Sequence, residues 1–361
     1  MLVAATIAVA GCSAVSLDVP YYWQSARGQW ALLRDARPVA DVIDAPGVDP
    51  RLGERLRRAR EIRAFASREL GLPDNGSYTR YTELGRPFVV WNVFATPELS
   101  MRLEQWCFPV AGCVDYRGYF ERDAAEAFAQ GLRARGLEAF VAGVPAYSTL
   151  GWFDDPLLSS FIHYPEGELA RLIFHELAHQ LVYVKGDSTF NESFATAVEE
   201  AGVERWLAHR ADPALDAAYR AFDARRRQFV AMLRRHKASL EAVYAQPADP
   251  ARLRAGKARV FDDLRAEYAA LKSSWGGFAG YDRWFAQPLT NAHLSSVSTY
   301  NAYVPGFRRL LAAAHGDLPR FYSEVRSLAQ APRAERDRRL SEEPAQRAAS
   351  ADAIAAPRND N

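Results

Sequence analysis

Residues 172–200, LIFHELAHQLVYVKGDSTFNESFATAVEE, carry two histidines four positions apart within a segment whose apolar residues recur at helical spacing. Positions four apart share one helix face, so His175 and His179 can turn both imidazoles toward one cation with Glu176 beside them. Pro165, Glu166 and Glu168, followed by Leu169, Leu172 and Ile173, predict the start of this helix, and Gly186 predicts its end. Asp187 or Ser188 can then cap a second helix, in which Ala, Phe and Val repeat at helical intervals. With a turn at Gly186 the two helices run antiparallel. His179 and Glu192 lie at similar distances from that turn, roughly 10 Å at 1.5 Å per residue, and so stand level on facing helices. Glu199 shares the face of Glu192 and comes level with His175. These 29 residues therefore predict one centre, a single Zn2+ held by His175, His179 and Glu192. Glu199 is expected behind it or as a reserve ligand, ahead of Glu200.

A catalytic zinc site has three protein ligands and one position open to water. Glu176 is the residue placed to take the water proton and pass it to a leaving amine. A tyrosine hydroxyl suits the developing oxyanion, and Tyr300, then Tyr303, are the candidates in the irregular-looking NAHLSSVSTYNAYVPGF. Asp154, Asp155 and Glu199 could receive a substrate ammonium, although Asp154-Asp155-Pro156 also reads as a turn and helix cap. His163, His209, His236, His293 and His315 have no partner at ligand spacing and are expected on the surface or in the core, with His293 nearest the tyrosine candidates. A third histidine ligand of the metzincin kind is excluded, because Val182 and Lys185 occupy the positions of its Gly and His.

The 361 residues, 49% of them hydrophobic, suffice for one large domain or two modest ones. Forty-five basic residues against 44 acidic ones leave a net charge of +1, which argues against a nucleic-acid partner. The opening MLVAATIAVAGCSAVS is apolar but too short to span a bilayer, and it reads as an export signal over residues 1–11. Val9-Ala10-Gly11-Cys12 resembles a bacterial lipobox, in which Cys12 carries the lipid, and Ser13 after it favours the outer membrane. A periplasmic, membrane-anchored location follows as the expectation. In that compartment Cys107 and Cys113 of WCFPVAGC can form a disulfide; two reduced thiols or half a metal site are the alternatives.

Along the chain, residues 20–70 predict a helical segment ending at GLPDNG. Tyr78 to about Phe94 predicts two strands around a turn at Gly85 and Pro87, residues 122–135 a helix stopped by Gly136, and LEAFVAGVPAYSTLGWF an extended edge. Residues 206–272 predict a long helical hairpin turning at QPADP, with charged faces toward solvent. The parts are thus residues 12–205 with the sheet and zinc helices, a helical part over 206–330, and a disordered tail over 331–361.

FHELAHQLVYVKGDSTFNESFATAVEE resembles the glutamate-zincin pattern, His-Glu-x-x-His followed by Asn-Glu on the next helix, and NESFATAVEE is similar to its aminopeptidase version. Over about residues 13–330, WCFPVAGCVDYRGYF, VPAYSTLGWFDDPLL, FHELAHQ and NAHLSSVSTYNAYVPGF resemble a family of bacterial proteins described as predicted aminopeptidases. The resemblance implies a zinc-dependent aminopeptidase acting on peptides. AYSTLGWFDDPLL lies just upstream of the zinc helix, where the zinc peptidases that this chain resembles place the edge strand that holds extended substrate through its backbone. The fold expected is α+β and mainly helical, zincin-like, with a small mixed sheet, a two-helix zinc core and the long hairpin. A metalloendopeptidase, or a non-catalytic lipid-anchored zinc protein, are the rival readings; the oligomeric state is left open.

Overall fold

A computed structural model of the chain describes residues 18–108, 112–298 and 302–341. Its elements run in the order α1 (Val19–Asp35), β1 (Arg37–Pro38), α2 (Val39–Ile43), α3 (Pro50–Leu70), β2 (Arg80–Thr82), β3 (Val90–Pro97), β4 (Trp106–Phe108), β5 (Gly112–Val114), β6 (Arg117–Tyr119), α4 (Arg122–Ala134), β7 (Leu137–Val144) and β8 (Leu157–Leu158). The second half is helical among the described residues: α5 (Glu166–His179), α6 (Ser188–Arg210), α7 (Pro213–Tyr244), α8 (Pro250–Ser274), α9 (Asp282–Phe285), α10 (Asn291–Ser298), α11 (Val304–Ala313), α12 (Leu318–Ala329) and α13 (Arg333–Ser341). The class is α+β and mainly helical, with small sheets of two or three strands.

Many helices begin where the sequence places a capping side chain. Asp49, Asp187, Asp212, Asp249 and Asp317 each accept a backbone N–H of the first turn, and all but Asp187 precede a proline at the helix start. The largest core joins α3, α5 and α6 to the C-terminal helices, with Phe174, Phe190, Phe194, Phe307 and Phe321 fully buried together. The α7–α8 hairpin closes a separate cluster around Met232, Leu240 and Leu264.

Several expected boundaries move. Tyr78–Phe94 is not a hairpin: β2 lies between β1 and β8, whereas β3 is the centre of a different sheet, ordered β6–β3–β7. Residues 146–156 form no strand, and the two strand residues that follow, Leu157 and Leu158, pair with Tyr81 and Thr82 inside the core. NAHLSSVSTYNAYVPGF is largely helical in its described part, giving α10 and the start of α11. The Glu-bearing helix runs on to Arg210, so the long hairpin starts at Pro213. Residues 333–341 of the expected tail are helical, because the buried Arg336 guanidinium donates to Asp187 Oδ2 at 2.7 Å and fastens α13 to the first turn of α6.

The sheet β6–β3–β7 is antiparallel throughout, in a register that aligns Asn92 with Gly118 on one side and Ala142 on the other. Side chains alternate across it. Trp91, Val93, Ala95, Tyr119 and Ala139 point to one face and pack on Ala125, Ala129 and Leu132 of α4. Val90, Asn92, Phe94, Gly118, Ala142 and Val144 point to the other, which looks across a cavity toward α5 and α6.

Candidate metal centre

The helix α5 ends at His179, and residues 180–187 form the connection to α6. It is longer than a turn centred on Gly186, and Asn191 secures it: its side chain accepts from Val184 N at 2.7 Å and donates to Val184 O at 2.9 Å. Gly186 has φ +75°, and Gly112 of β5 approaches so closely that a Cβ there would meet Gly186 N at 2.8 Å. Cys107 and Cys113, joined by a disulfide across β4 and β5, thus staple the hairpin that lies against this connection.

Antiparallel packing of α5 on α6 brings His175, His179 and Glu192 together, their ligand atoms within 4.8 Å of one another. His175 Nε2 lies 3.2 Å from His179 Nε2 and 3.3 Å from Glu192 Oε2, and His179 Nε2 lies 3.8 Å from Glu192 Oε1. Ligand atoms tetrahedrally bound at zinc–nitrogen distances of 2.0–2.1 Å sit about 3.4 Å apart, so these spacings fit one small divalent ion.

Behind the ligands stands a buried ionic row. Glu199 Oε2 is 2.8 Å from His175 Nδ1, which assigns the proton to Nδ1 and leaves the Nε2 lone pair toward the cluster. Arg171 Nη1 donates to Glu199 Oε1 at 2.9 Å, and its Nε donates to Glu168 at 3.1 Å. Burial alone raises the Glu199 carboxyl, but Arg171, the bond from His175 and Arg226 outweigh it and hold it down at about 2. Burial also pulls His175 down, yet hydrogen bonds to Glu192 and Glu199 turn the shift upward. His179 has no such carboxylate at its buried Nδ1, and burial takes it down to about 4 despite Glu192. Glu176, the motif's acid, is pushed up to about 7 by burial, against the pull of His175 and with Glu192 adding to the rise.

His175, Glu176, His179 and Glu192 line a cavity of about 620 Å3 between the helix pair and the open face of β6–β3–β7. Phe94, Phe108, Val114, Phe120 and Val144 make its walls largely apolar, with Asn92 set between Gly118 and Ala142. Tyr21 and Ser25 of α1 close another side.

The remaining expected residues lie elsewhere. Glu199 is committed to His175 and Arg171, Asp154 is exposed beside Gly76, and the buried Asp155 accepts from Thr149 N at 2.9 Å; none of the three lines the cavity. Glu200 pairs with Arg308 at 2.6 Å. Tyr303 donates its hydroxyl to Asp337 at 2.9 Å, fastening α11 to α13 rather than reaching the cavity. His293 is a core histidine, stacked at 3.8 Å on Phe140 and taken down to about 3 by burial. Tyr300 and Cys12 lie outside the described residues. Tyr21, Tyr116, Tyr147 and Tyr183 line the cavity, and of these Tyr116 and Tyr183 feel the charge of Glu192. Burial first, then the charges of Glu192, Tyr183 and Glu176, hold the Tyr116 proton well above its usual range. Tyr183, four residues beyond His179, was visible by spacing alone; Tyr116 is brought in only by the sheet.

No curated protein and no solved structure matches the chain. The family described as "Putative aminopeptidase" has a model that matches residues 20–340, nearly the whole described structure. An α+β chain with a His/His/Glu cluster at the base of an apolar cavity therefore belongs to this family, a membership that supports a peptidase.

Proposed function

We propose that the chain is a zinc-dependent aminopeptidase that hydrolyses peptides with apolar side chains near the scissile bond. The observation that carries this reading is the spacing of 3.2, 3.3 and 3.8 Å among His175, His179 and Glu192, which open on an apolar cavity. A zinc ion held by His175, His179 and Glu192 would supply Lewis acidity toward a carbonyl and an attacking water. Glu176 then accepts the water proton on its carboxylate and hands it to the leaving amine. Glu199 keeps the His175 ring oriented through Nδ1, and Arg171 keeps Glu199 ionised. Tyr116, which lines the same cavity as Glu192 and Glu176 and feels the charge of both, is the hydroxyl we assign to the oxyanion, ahead of Tyr300. Aromatic walls exclude water and receive the substrate side chain.

A metalloendopeptidase is the second reading, and one observation favours it. Among the described residues Glu176 and Glu192 are the only carboxylates on the cavity wall, so no further acid waits there for a substrate ammonium. We place the enzyme in a bacterial periplasm, held by a lipid on Cys12 and preferentially at the outer membrane; the apolar run ending in Val9-Ala10-Gly11-Cys12 supports this.

The test combines metal analysis with hydrolysis of leucine arylamides and of N-acetylated peptides. One zinc per chain, cleavage of arylamides, and a Glu176→Gln variant that keeps zinc but loses about 100- to 10,000-fold in kcat are expected. Cleavage of blocked peptides alone selects the endopeptidase, and unchanged hydrolysis in Glu176→Gln rejects both. Tyr116→Phe is expected to lose about 100-fold in kcat with KM little changed.

A further inference from the structure

Five large apolar side chains are exposed among the described residues, and three of them sit on one face of α1: Val19 (67%), Trp23 (70%) and Trp30 (69%). At 100° per residue these three and the exposed Ala26 fall within an arc of about 60°. Exposed Arg27 and Arg34 follow directly on one flank of that arc, Arg34 also touching Asp35. The opposite side of the helix is spent on the protein: Tyr21 and Ser25 line the cavity, Leu32 enters the core, and Gly28 lies so close to the Phe120 ring that a Cβ would collide with it. The outer face consequently has no partner within the described residues.

An exposed tryptophan pair is costly in water and well suited to the boundary between headgroups and acyl chains, where the indole ring is buried and its N–H stays wet. Arginines beside it match anionic headgroups. We infer that α1 lies flat on a phospholipid surface, with Trp23 and Trp30 inserted at the headgroup level and Arg27 and Arg34 against anionic lipid. No described helix is long and apolar enough to cross a membrane, so the contact is with the surface. The position of α1 in the chain agrees: Cys12, where we place the lipid, is seven residues before Val19, a tether of at most about 25 Å. The metal cavity then sits one helix away from the lipid, on the inner side of α1. This inference does not depend on the peptidase reading.

The experiment uses the full chain carrying Cys12→Ser, so that no lipid is attached. It is mixed with vesicles of three parts phosphatidylcholine to one part phosphatidylglycerol, with brominated acyl chains as quenchers of tryptophan fluorescence. Quenching of part of the emission is expected, and its loss in the Trp23→Gln/Trp30→Gln variant at unchanged circular dichroism. Arg27→Glu/Arg34→Glu, which retains both indoles, is expected to need more vesicles for the same quenching. Absence of quenching, or equal quenching with and without the two tryptophans, overturns the inference. So does a lipid-free dimer, seen by sedimentation velocity, that the tryptophan variant dissociates while vesicle binding is unaltered, since the face then serves a second copy.

Discussion

The two faces of the sheet β6–β3–β7 are built from the same kinds of residue and have opposite uses. On one, Trp91, Val93, Ala95 and Tyr119 are covered by α4 and become core. On the other, Val90, Phe94, Ala142 and Val144 are no less apolar, yet they face a cavity with two histidines and two glutamates on its far side. Apolar character is therefore not the same as core. It also lowers the polarity around a carboxyl such as Glu176, which burial pushes up to about 7.

The largest effect is expected in the ionic row behind His175, off the cavity wall. Glu199→Ala leaves Arg171 without its main buried counter-ion and frees His175 Nδ1, so stability falls by about 3–5 kcal/mol and metal affinity by about 10- to 100-fold. Chemical denaturation and metal titration read the two separately; a variant that loses affinity alone would show that the ionic row is dispensable for folding. Next comes the closed face. Leu132→Ala empties a site 3% exposed between α4 and the sheet and is expected to cost about 2–4 kcal/mol, with kcat of the folded protein preserved. On the open face the pattern inverts: Ala142→Trp fills the cavity next to Asn92, lowering kcat/KM about tenfold or more while the melting temperature shifts little. If Ala142→Trp unfolds the protein instead, the two faces are equivalent and the cavity is a packing defect.

The smallest effect concerns Asp155, buried behind the cavity and raised by that burial to about 6. Because its folded value lies above the ordinary 3.8, its contribution to stability is complete below pH 3.8 and is lost as pH rises through about 6. The whole shift is worth at most about 3 kcal/mol. Asp155→Asn is accordingly expected to stabilise by about 1 kcal/mol at pH 7.5 and not at pH 4, measured by urea unfolding. Equal effects at both pH values would place Asp155 outside the cavity's electrostatics.

Much of the centre was legible because its geometry is local. His175 and His179 share a face by helical repeat, Asp187 caps α6 through its own first turn, and a return over a short connection puts Glu192 and Glu199 opposite them. The connection itself is not legible in the sequence, since Gly186 marks its last turn and not the end of α5. Extended segments are legible in the sequence but their pairing is not, because β2 and β3 are neighbours in sequence and belong to different sheets. Short strands leave partner choice to packing, and AYSTLGWFDDPLL gave no sign that only its last two residues would pair. Helix α13 escaped notice for a related reason: Arg336 and Leu340 find their partners 149 and 34 residues away, and composition alone shows a polar tail.

By itself the sequence determines which side chains can hold a cation and how they follow one another along two helices, because hydrogen-bonded turns repeat every 3.6 residues whatever the rest of the chain does. Only the tertiary structure decides what those side chains look onto. Pairing of β3 with β6 and β7 brings Tyr116, Asn92 and Phe94 to the cavity, the packing of α1 adds Tyr21 and turns Trp23 and Trp30 outward, and Asp154, Asp155 and Glu199 are left off the wall. These placements arise from contacts such as Arg117 to Asp18, 99 positions apart, and no periodicity within a segment encodes them.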